Sequence, residues 1–297
     1  MMKLLITGGG GFIGRNLAEL LSNEYRVLAP SQTELNLLDA NAVRNYLREN
    51  SPDTVLHAAT TRANRRIGAP ADLLDRNCRM FLNLARNENL FGKMIYFGSG
   101  AEYGLAHLPP RVREEYFDTC VPTDPYGFSK YICAKLVDRS DRIVNLRLFG
   151  VFGKYEDYTV RFISNACCRV LKGLPIVIRR DVIFDYLYVD DLARITSWFV
   201  EHQPRCKAYN VARGEGIALS ALADLVAEVS GRNPQIVVRD PGLAQEYSAD
   251  NSLLLSAVSP YQFADTRKCI AELYEWYATR EHSVSLESLR FDETPVS

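Results

Sequence analysis

The chain has 297 residues, 47% of them apolar and 24% charged, with 35 Lys plus Arg against 36 Asp plus Glu for a net charge of -1. That balance lacks the basic footprint of a nucleic-acid partner, and no apolar run approaches the roughly 18 residues of a membrane span. The length suits one large domain or two modest ones with a sizeable core. Seven scattered cysteines without Cys-x-x-Cys, and four dispersed histidines, make a disulfide framework or a metal site unexpected and a cytoplasmic setting the expected one. The first apolar run stops early in a glycine cluster, which is not the pattern of a signal peptide.

In chain order, Lys3 to Thr7 reads as a strand, followed by glycines and a helix from about Gly14 that carries Leu17, Ala18, Leu20 and Leu21 on one side. Strands at Arg26 to Ala29, Thr54 to Ala58, Met94 to Phe97 and Ile143 to Phe149 alternate with helices at Ala40 to Glu49, Asp72 to Asn89 and Tyr126 to Val137. Strands separated by helical patterns predict βαβ units and a parallel sheet, its short apolar runs covered on both faces. After about Gly153 the rhythm loosens. A helix near Thr159 to Lys172, a helix to about His202 after DYLYVDD, a helix at Ser220 to Ser230 with Ser220 as cap, and a last one from Asp265 to about Arg280 remain legible. Asp190 and Asp191 read as a helix cap, Cys167 and Cys168 as core filler, and His57 as packed near the cofactor loop. The expected architecture is an α/β fold, a Rossmann-type doubly wound parallel sheet with a smaller interleaved C-terminal α/β substrate lobe. The nucleotide domain takes 1–155 plus about 185–212, the lobe 156–184 and 213–282, and 283–297 is a flexible tail.

Thr7-Gly8-Gly9-Gly10-Gly11-Phe12-Ile13-Gly14 joins the first strand to the first helix. Gly8 permits a tight turn, Gly11 lets the backbone approach a pyrophosphate held at the helix N-terminus, and Gly14 lets helix and sheet pack closely. The strand before and the helix after it turn a weak glycine pattern into a strong dinucleotide signal. An acidic residue for the NAD ribose is expected about 20 residues on, where the chain has Ala29-Pro30-Ser31-Gln32. With Arg15 next to Gly14, NADP(H) is favoured over NAD(H). The opposing reading leaves Arg15 solvated and gives the ribose to Glu34.

Tyr126 and Lys130, four residues apart, share one helix face. A free phenol has a pKa of about 10, and bringing it to about 7 takes roughly 4 kcal/mol of preferential phenolate stabilisation. A neighbouring ammonium in a partly dry pocket can contribute that. Ser99, at the carboxyl end of the preceding strand, is placed to hydrogen-bond a substrate oxygen.

Together, TGGGGFIG, LHAA (Leu56 to Ala59), GSGAEYG (Gly98 to Gly104), PYGFSK (Pro125 to Lys130), LRLFGVFG and DYLYVDDLA resemble the extended short-chain dehydrogenase/reductase family, which acts mostly on nucleotide-sugars. The match runs from about Met2 to Tyr277. The resemblance implies Ser99, Tyr126 and Lys130 as catalytic residues. It implies a cofactor site of Gly8, Gly11, Phe12, Ile13, Gly14, Arg15, Asp39, Ala58, Ala59, Thr60, Asn77, Tyr126, Lys130 and Phe149, with substrate contacts at Ser99, Gly100, Tyr126, Arg161 and Arg179. It also implies a nucleotide-diphosphate sugar as partner, no metal, and a homodimer.

Departures narrow the expectation. Sugar 4,6-dehydratases carry Thr-Asp-Glu where this chain has Ser99-Gly100-Ala101, so the acid pair for elimination is missing and Glu102 is one residue out of register. The Cys and His that GDP-fucose synthase uses for epimerisation fall at Ala101 and Arg161. The usual substrate-holding Asn is Gly150 and the usual Arg is Phe184, so other cations, among Arg62, Arg65, Arg66, Arg161, Arg179 and Arg180, are candidates to replace them. The E-L-x-L-x-D pattern from Glu34 to Asp39 resembles the sugar 4-ketoreductase and GDP-fucose synthase branch. The expected activity is NAD(P)H-dependent reduction of the 4-keto group of an NDP-4-keto-6-deoxy-hexose. The alternatives are a 4-epimerase that keeps its NAD and an NADP(H)-sensing binding protein.

Overall fold

The computed structural model describes residues 1–62 and 68–290. Its first half alternates β1 (Lys3–Thr7), α1 (Phe12–Leu21), β2 (Arg26–Leu28), α2 (Ala40–Asn50), β3 (Thr54–His57), α3 (Leu73–Ala85), β4 (Lys93–Ser99), α4 (Pro125–Val137) and β5 (Ile143–Leu148). There follow β6 (Gly150–Phe152), α5 (Phe162–Leu171), β7 (Ile176–Asp181), β8 (Ile183–Tyr188), α6 (Val189–Glu201), β9 (Ala208–Val211) and β10 (Gly216–Ala218). The chain ends in α7 (Leu219–Ser230), β11 (Ile236–Leu243), α8 (Ser252–Val258), α9 (Thr266–Ala278) and α10 (Leu286–Arg290).

Six strands form the central sheet in the order β2-β1-β3-β4-β5-β9, with every neighbouring pair parallel. Alternation along β1 divides the core. Leu4 and Ile6 pack with Leu17 and Leu21 of α1 and with Leu192 and Phe199 of α6. Leu5 meets Val43 and Leu47 of α2 and Phe81 and Leu84 of α3 on the other face. Strands covered on both faces need continuous apolar runs, which is why KLLIT and TVLH carry them. Strand order reverses between β1 and β3, and a crevice opens beyond the carboxyl ends of strands at such a point.

A second body packs over that edge. β10-β8-β6 form a three-stranded sheet and β11-β7 a two-stranded one. Cys167 and Cys168 of α5, Leu222 and Val226 of α7, and Ile270 and Leu273 of α9 share its core.

Several local expectations change. Ser220 is not a cap: α7 begins at Leu219 after Ala218, and the Ser220 hydroxyl donates to Asp181 at 2.5 Å. Asp190 and Asp191 occupy the first turn of α6 rather than its cap. Asp191 accepts from the Tyr261 hydroxyl at 2.8 Å and from Ala264 N at 3.2 Å, tying the chain after α8 to α6. Residues 283–290, expected to be loose, are folded. Val284 and Leu289 are buried in the α5–α7–α9 core, and Arg169 Nη1 donates to Leu289 O at 2.8 Å. Polar composition hid two apolar anchors there; the rest of that segment, 291–297, lies outside the described residues. Leu289→Ala is therefore expected to cost about 2–5 kcal/mol in denaturant unfolding, whereas a loose tail would give no change.

Candidate active site

A cavity of about 580 Å³ lies at the reversal point, lined by Thr7 to Gly14, Pro30 to Gln32, Leu35 to Leu38, Ala58 to Arg62, Arg76 and Met80. Gly8 has φ +74°, and a Cβ on it would lie 2.7 Å from Ala59 N. A Cβ on Gly14 would lie 2.3 Å from Gly8 O, so α1 presses directly on the turn. Gly11 caps α1 without a side chain, which leaves the first-turn N–H groups facing the cavity. The buried Thr60 hydroxyl has no partner among the described residues. Open helix N–H groups, bare glycine backbone and an unmet hydroxyl fit a dinucleotide pyrophosphate and ribose.

Thr7 and His57 hold this floor through a buried 2.7 Å hydrogen bond between Oγ1 and Nδ1. Burial and the nearby Lys130 hold the His57 imidazole down to about 3, so it stays neutral. Asn77 accepts from Thr61 N at 2.7 Å and donates to Thr61 O and to Ser129 Oγ, clamping the loop after β3 to α4. Of the expected cofactor residues, Arg15, Asp39, Asn77, Tyr126, Lys130 and Phe149 are not part of that lining, and the first two are engaged elsewhere. The Arg15 guanidinium lies 3.6 Å over the Tyr155 ring and 3.5 Å from Glu19. Asp39 caps α2 by accepting from Asn41 N and Ala42 N. Arg76, which the sequence did not single out, does line it. Glu34, the alternative ribose ligand, accepts instead from Ser31 N at 2.7 Å.

Beside this cavity, β4 delivers Ser99 and α4 delivers Tyr126 and Lys130. Asp124 caps α4 by accepting from Gly127 N at 2.8 Å, with Pro125 in the first turn. Ser99 starts a short 3-10 turn in which its Oγ accepts from Ala101 N at 3.2 Å and Ser99 N donates to Glu102 at 3.0 Å. Glu102 is wholly buried and accepts from Arg147 Nε at 2.7 Å and Asn145 Nδ2 at 2.9 Å. Burial pushes its carboxyl up against the pull of Arg147. Glu102 thus anchors the turn from beneath. Lys130 Nζ donates to Phe97 O at 2.8 Å and lies 5.9 Å from the Tyr126 ring. Burial pushes the Tyr126 phenol up, but Arg62, Lys130, the Ser99 hydroxyl and Arg161 together hold it below its ordinary value. The Arg62 guanidinium is 5.8 Å from the same ring.

The facing wall comes from the second body. Arg161 precedes α5 and faces Tyr126. Phe149, just after β5, lies 5.0 Å from Tyr247 with the rings tilted, and Tyr247 lies 4.8 Å from Phe184. Tyr247 is a residue that sequence reasoning missed, and its hydroxyl lies over Gly100, the residue after Ser99. A Cβ on Gly100 would sit 2.5 Å from that hydroxyl, and one on Gly150 would sit 2.6 Å from Phe184 Cε1. Position 150 is closed to a side chain by the Asp185 backbone carbonyl, 2.4 Å from such a Cβ, as well as by the Phe184 ring. Arg179 is not brought to the site; its side chain is 90% exposed on β7, 3.7 Å from Asp240, and Arg180 leans on the same carboxylate. Arg65 and Arg66 lie outside the described residues. Among the described residues no cluster of His, Cys, Asp or Glu could hold a metal ion, and no helix is long and apolar enough to cross a membrane.

The sequence model of the NAD dependent epimerase/dehydratase family matches residues 4–212. A GDP-L-fucose synthase of Azorhizobium caulinodans is 40% identical over 270 residues, covering 79% of this chain and 83% of that protein. The crystal structure of a GDP-L-fucose synthetase from Naegleria fowleri bound to NADP has a TM-score of 0.83 at 15% identity, covering 95% of this chain and 94% of that one. A UDP-glucose 4-epimerase from Thermotoga maritima, crystallised with UDP-glucose, has a TM-score of 0.80 at 22% identity, covering 94% and 99%. At those identities the two structures speak for the fold.

Glu156 is a buried carboxyl under this wall, accepting from Ser164 Oγ at 2.7 Å and pushed up to about 8 by burial. In an unfolded chain a glutamate ionises near about 4.3. The folded value is the higher one, so its contribution to stability is complete below the unfolded value and is lost as pH rises through the folded one. Denaturant unfolding of the wild type should therefore show stability falling between about pH 5 and pH 8, and Glu156→Gln should flatten that fall. Equal slopes for the two proteins would contradict the assignment.

Proposed function

The chain belongs to the NAD dependent epimerase/dehydratase family, and we propose that within it the protein is an NAD(P)H-dependent oxidoreductase that reduces the 4-keto group of an NDP-4-keto-6-deoxy-hexose. The observation that carries this reading is the grouping of Ser99, Tyr126 and Lys130 beside the dinucleotide cavity, whose lining residue Arg62 lies 5.8 Å from the Tyr126 ring, with Tyr126 held below its ordinary value by the cations around it. When bound, the reduced nicotinamide supplies two electrons and one hydrogen to the carbonyl carbon. Tyr126 then donates its phenolic proton to the developing alkoxide oxygen, and Ser99 hydrogen-bonds that oxygen. The cations that lower Tyr126 stabilise the phenolate left behind.

The rest of the site favours reduction over the other family chemistries. Elimination needs an acid after Ser99, but position 100 has no room for even a methyl group beneath Tyr247, and Glu102 is committed to Arg147. Epimerisation of the GDP-fucose synthase kind needs a thiol and an imidazole where this chain has Ala101 and Arg161. The 40% identity to a GDP-L-fucose synthase supports a GDP-sugar or a related nucleotide-sugar, and Arg62 and Arg161 are the cations placed to meet its phosphates. NADP(H) is favoured over NAD(H) because the cavity lining carries Arg76 and no carboxylate among the described residues. The 2′-phosphate reading thus rests on Arg76, which lines the cavity while its Nη1 pairs with Asp72 at 3.2 Å, and no longer on Arg15. A homodimer remains our expectation.

A panel of NDP-4-keto-6-deoxy-sugars assayed with NADPH and NADH tests this. One member should be reduced with stoichiometric NADPH consumption, and Tyr126→Phe should lower turnover by about 10²–10⁴-fold with little change in KM. Purified protein that retains NAD and interconverts sugars without consuming coenzyme would establish the epimerase instead. Function that survives Tyr126→Phe would favour a sensor.

A further inference from the structure

A groove of about 390 Å³ lies between α2 and α3 and shares no lining residue with the dinucleotide cavity. Its wall carries Arg44 and Arg48 of α2, Arg86 and Asn87 at the carboxyl end of α3, and Asn41 and Asn89. No carboxylate belongs to that lining.

Arginines on the neighbouring helices have an acid one turn away. Arg15 lies 3.5 Å from Glu19, Arg76 lies 3.2 Å from Asp72, and Arg79 lies 2.9 Å from Asp75. Arg44 instead has Ala40 one turn before it and Arg48 one turn after it. Neither Arg44 nor Arg48 has a hydrogen-bond or ion-pair partner among the described residues. Arg86 uses its Nε, which donates to Leu82 O at 3.1 Å, and its Nη groups stay open for another acceptor.

The acids nearby in sequence are committed elsewhere. Asp39 accepts from Asn41 N and Ala42 N at the start of α2. Glu88 accepts from the Ser140 hydroxyl. Glu49 follows Arg48, and successive helix positions do not face each other. Like charges one turn apart destabilise a helix, so α2 carries a repulsion that a bound anion would remove.

The shape and charge of the groove select the anion. Guanidinium forks pair with phosphate oxygens two at a time. A phosphate monoester carries about −1.5 to −2 charges, short of three guanidinium groups, whereas two linked phosphates match them. All three arginines are exposed, so a solute can reach them. A polynucleotide needs a basic footprint over a wide face, which a groove of this size on a chain of net charge -1 does not provide.

We propose that the groove between α2 and α3 is a separate anion site, in which Arg44, Arg48 and Arg86 bind a diphosphate group. That group belongs to free inorganic pyrophosphate or to a nucleoside diphosphate. The site stands apart from the reduction proposed above and does not depend on it.

The test follows the arginine Nε–H resonances by NMR as inorganic pyrophosphate or GDP is added at constant ionic strength. The signals are assigned by their loss in Arg44→Gln, Arg48→Gln and Arg86→Gln. All three should shift along one saturating curve. In the protein carrying both Arg44→Gln and Arg48→Gln, with thermal unfolding unchanged, the Arg86 curve should weaken by about tenfold or more. Tighter saturation by GDP than by pyrophosphate would support the site with a nucleotide as its ligand, and equal or weaker saturation would support it with the free ion. Signals of Arg44, Arg48 and Arg86 that stay still, or that drift without saturating, with both probes would overturn the proposal. An Arg86 curve indifferent to loss of the other two arginines would overturn it as well.

Discussion

A phenol enclosed by protein becomes a weaker acid, because the phenolate loses its water. Tyr126 is subject to that penalty and is nevertheless held below its ordinary value. The opposing field comes from charges far apart in sequence: Arg62 follows β3, Lys130 lies one turn along α4, and Arg161 precedes α5. No single element could supply it. The sheet and the second body must meet at one place for the phenol to be acidic, so the chemistry of the cleft depends on how the two bodies pack.

Ser99 has to be fixed for that field to be useful. Its turn stands on Glu102, a carboxylate buried with Arg147 and Asn145 between β4 and β5. Such a pair contributes little net stability, yet breaking it leaves an uncompensated buried charge. Arg147 also lies 4.4 Å over the Phe117 ring and donates to the Tyr103 hydroxyl, which in turn donates to Asn210 of β9 at 2.6 Å. The network runs from the sheet floor to the Ser99 turn and leaves Glu102 no freedom to act as an acid in the cleft.

What the sequence disclosed was local. A strand, a glycine turn and a helix in succession mark a phosphate cradle without any tertiary knowledge, and a Tyr-Lys pair at helical spacing marks one face. The parallel sheet followed from alternating apolar runs. What it hid depends on tertiary placement. Arg161 and Arg179 were both expected at the substrate, yet Arg161 faces the phenol while Arg179 faces solvent. Arg15 sat beside the right glycine and turned to Tyr155. Gly150 and Phe184 read as two unrelated departures because their contact is made between strands β6 and β8. Tyr247 carried no signal, since a single bridge to Phe184 brings it in from a stretch without periodicity.

The field around Tyr126 can be read directly. NMR of the hydroxyl-bearing ring carbon of Tyr126, assigned by its disappearance in Tyr126→Phe and followed against pH, should show ionisation below the ordinary phenol value of about 10. The midpoint should rise when Arg62 or Arg161 is replaced by glutamine. Ionisation at or above about 10 in the wild type, indifferent to both arginines, would contradict the account.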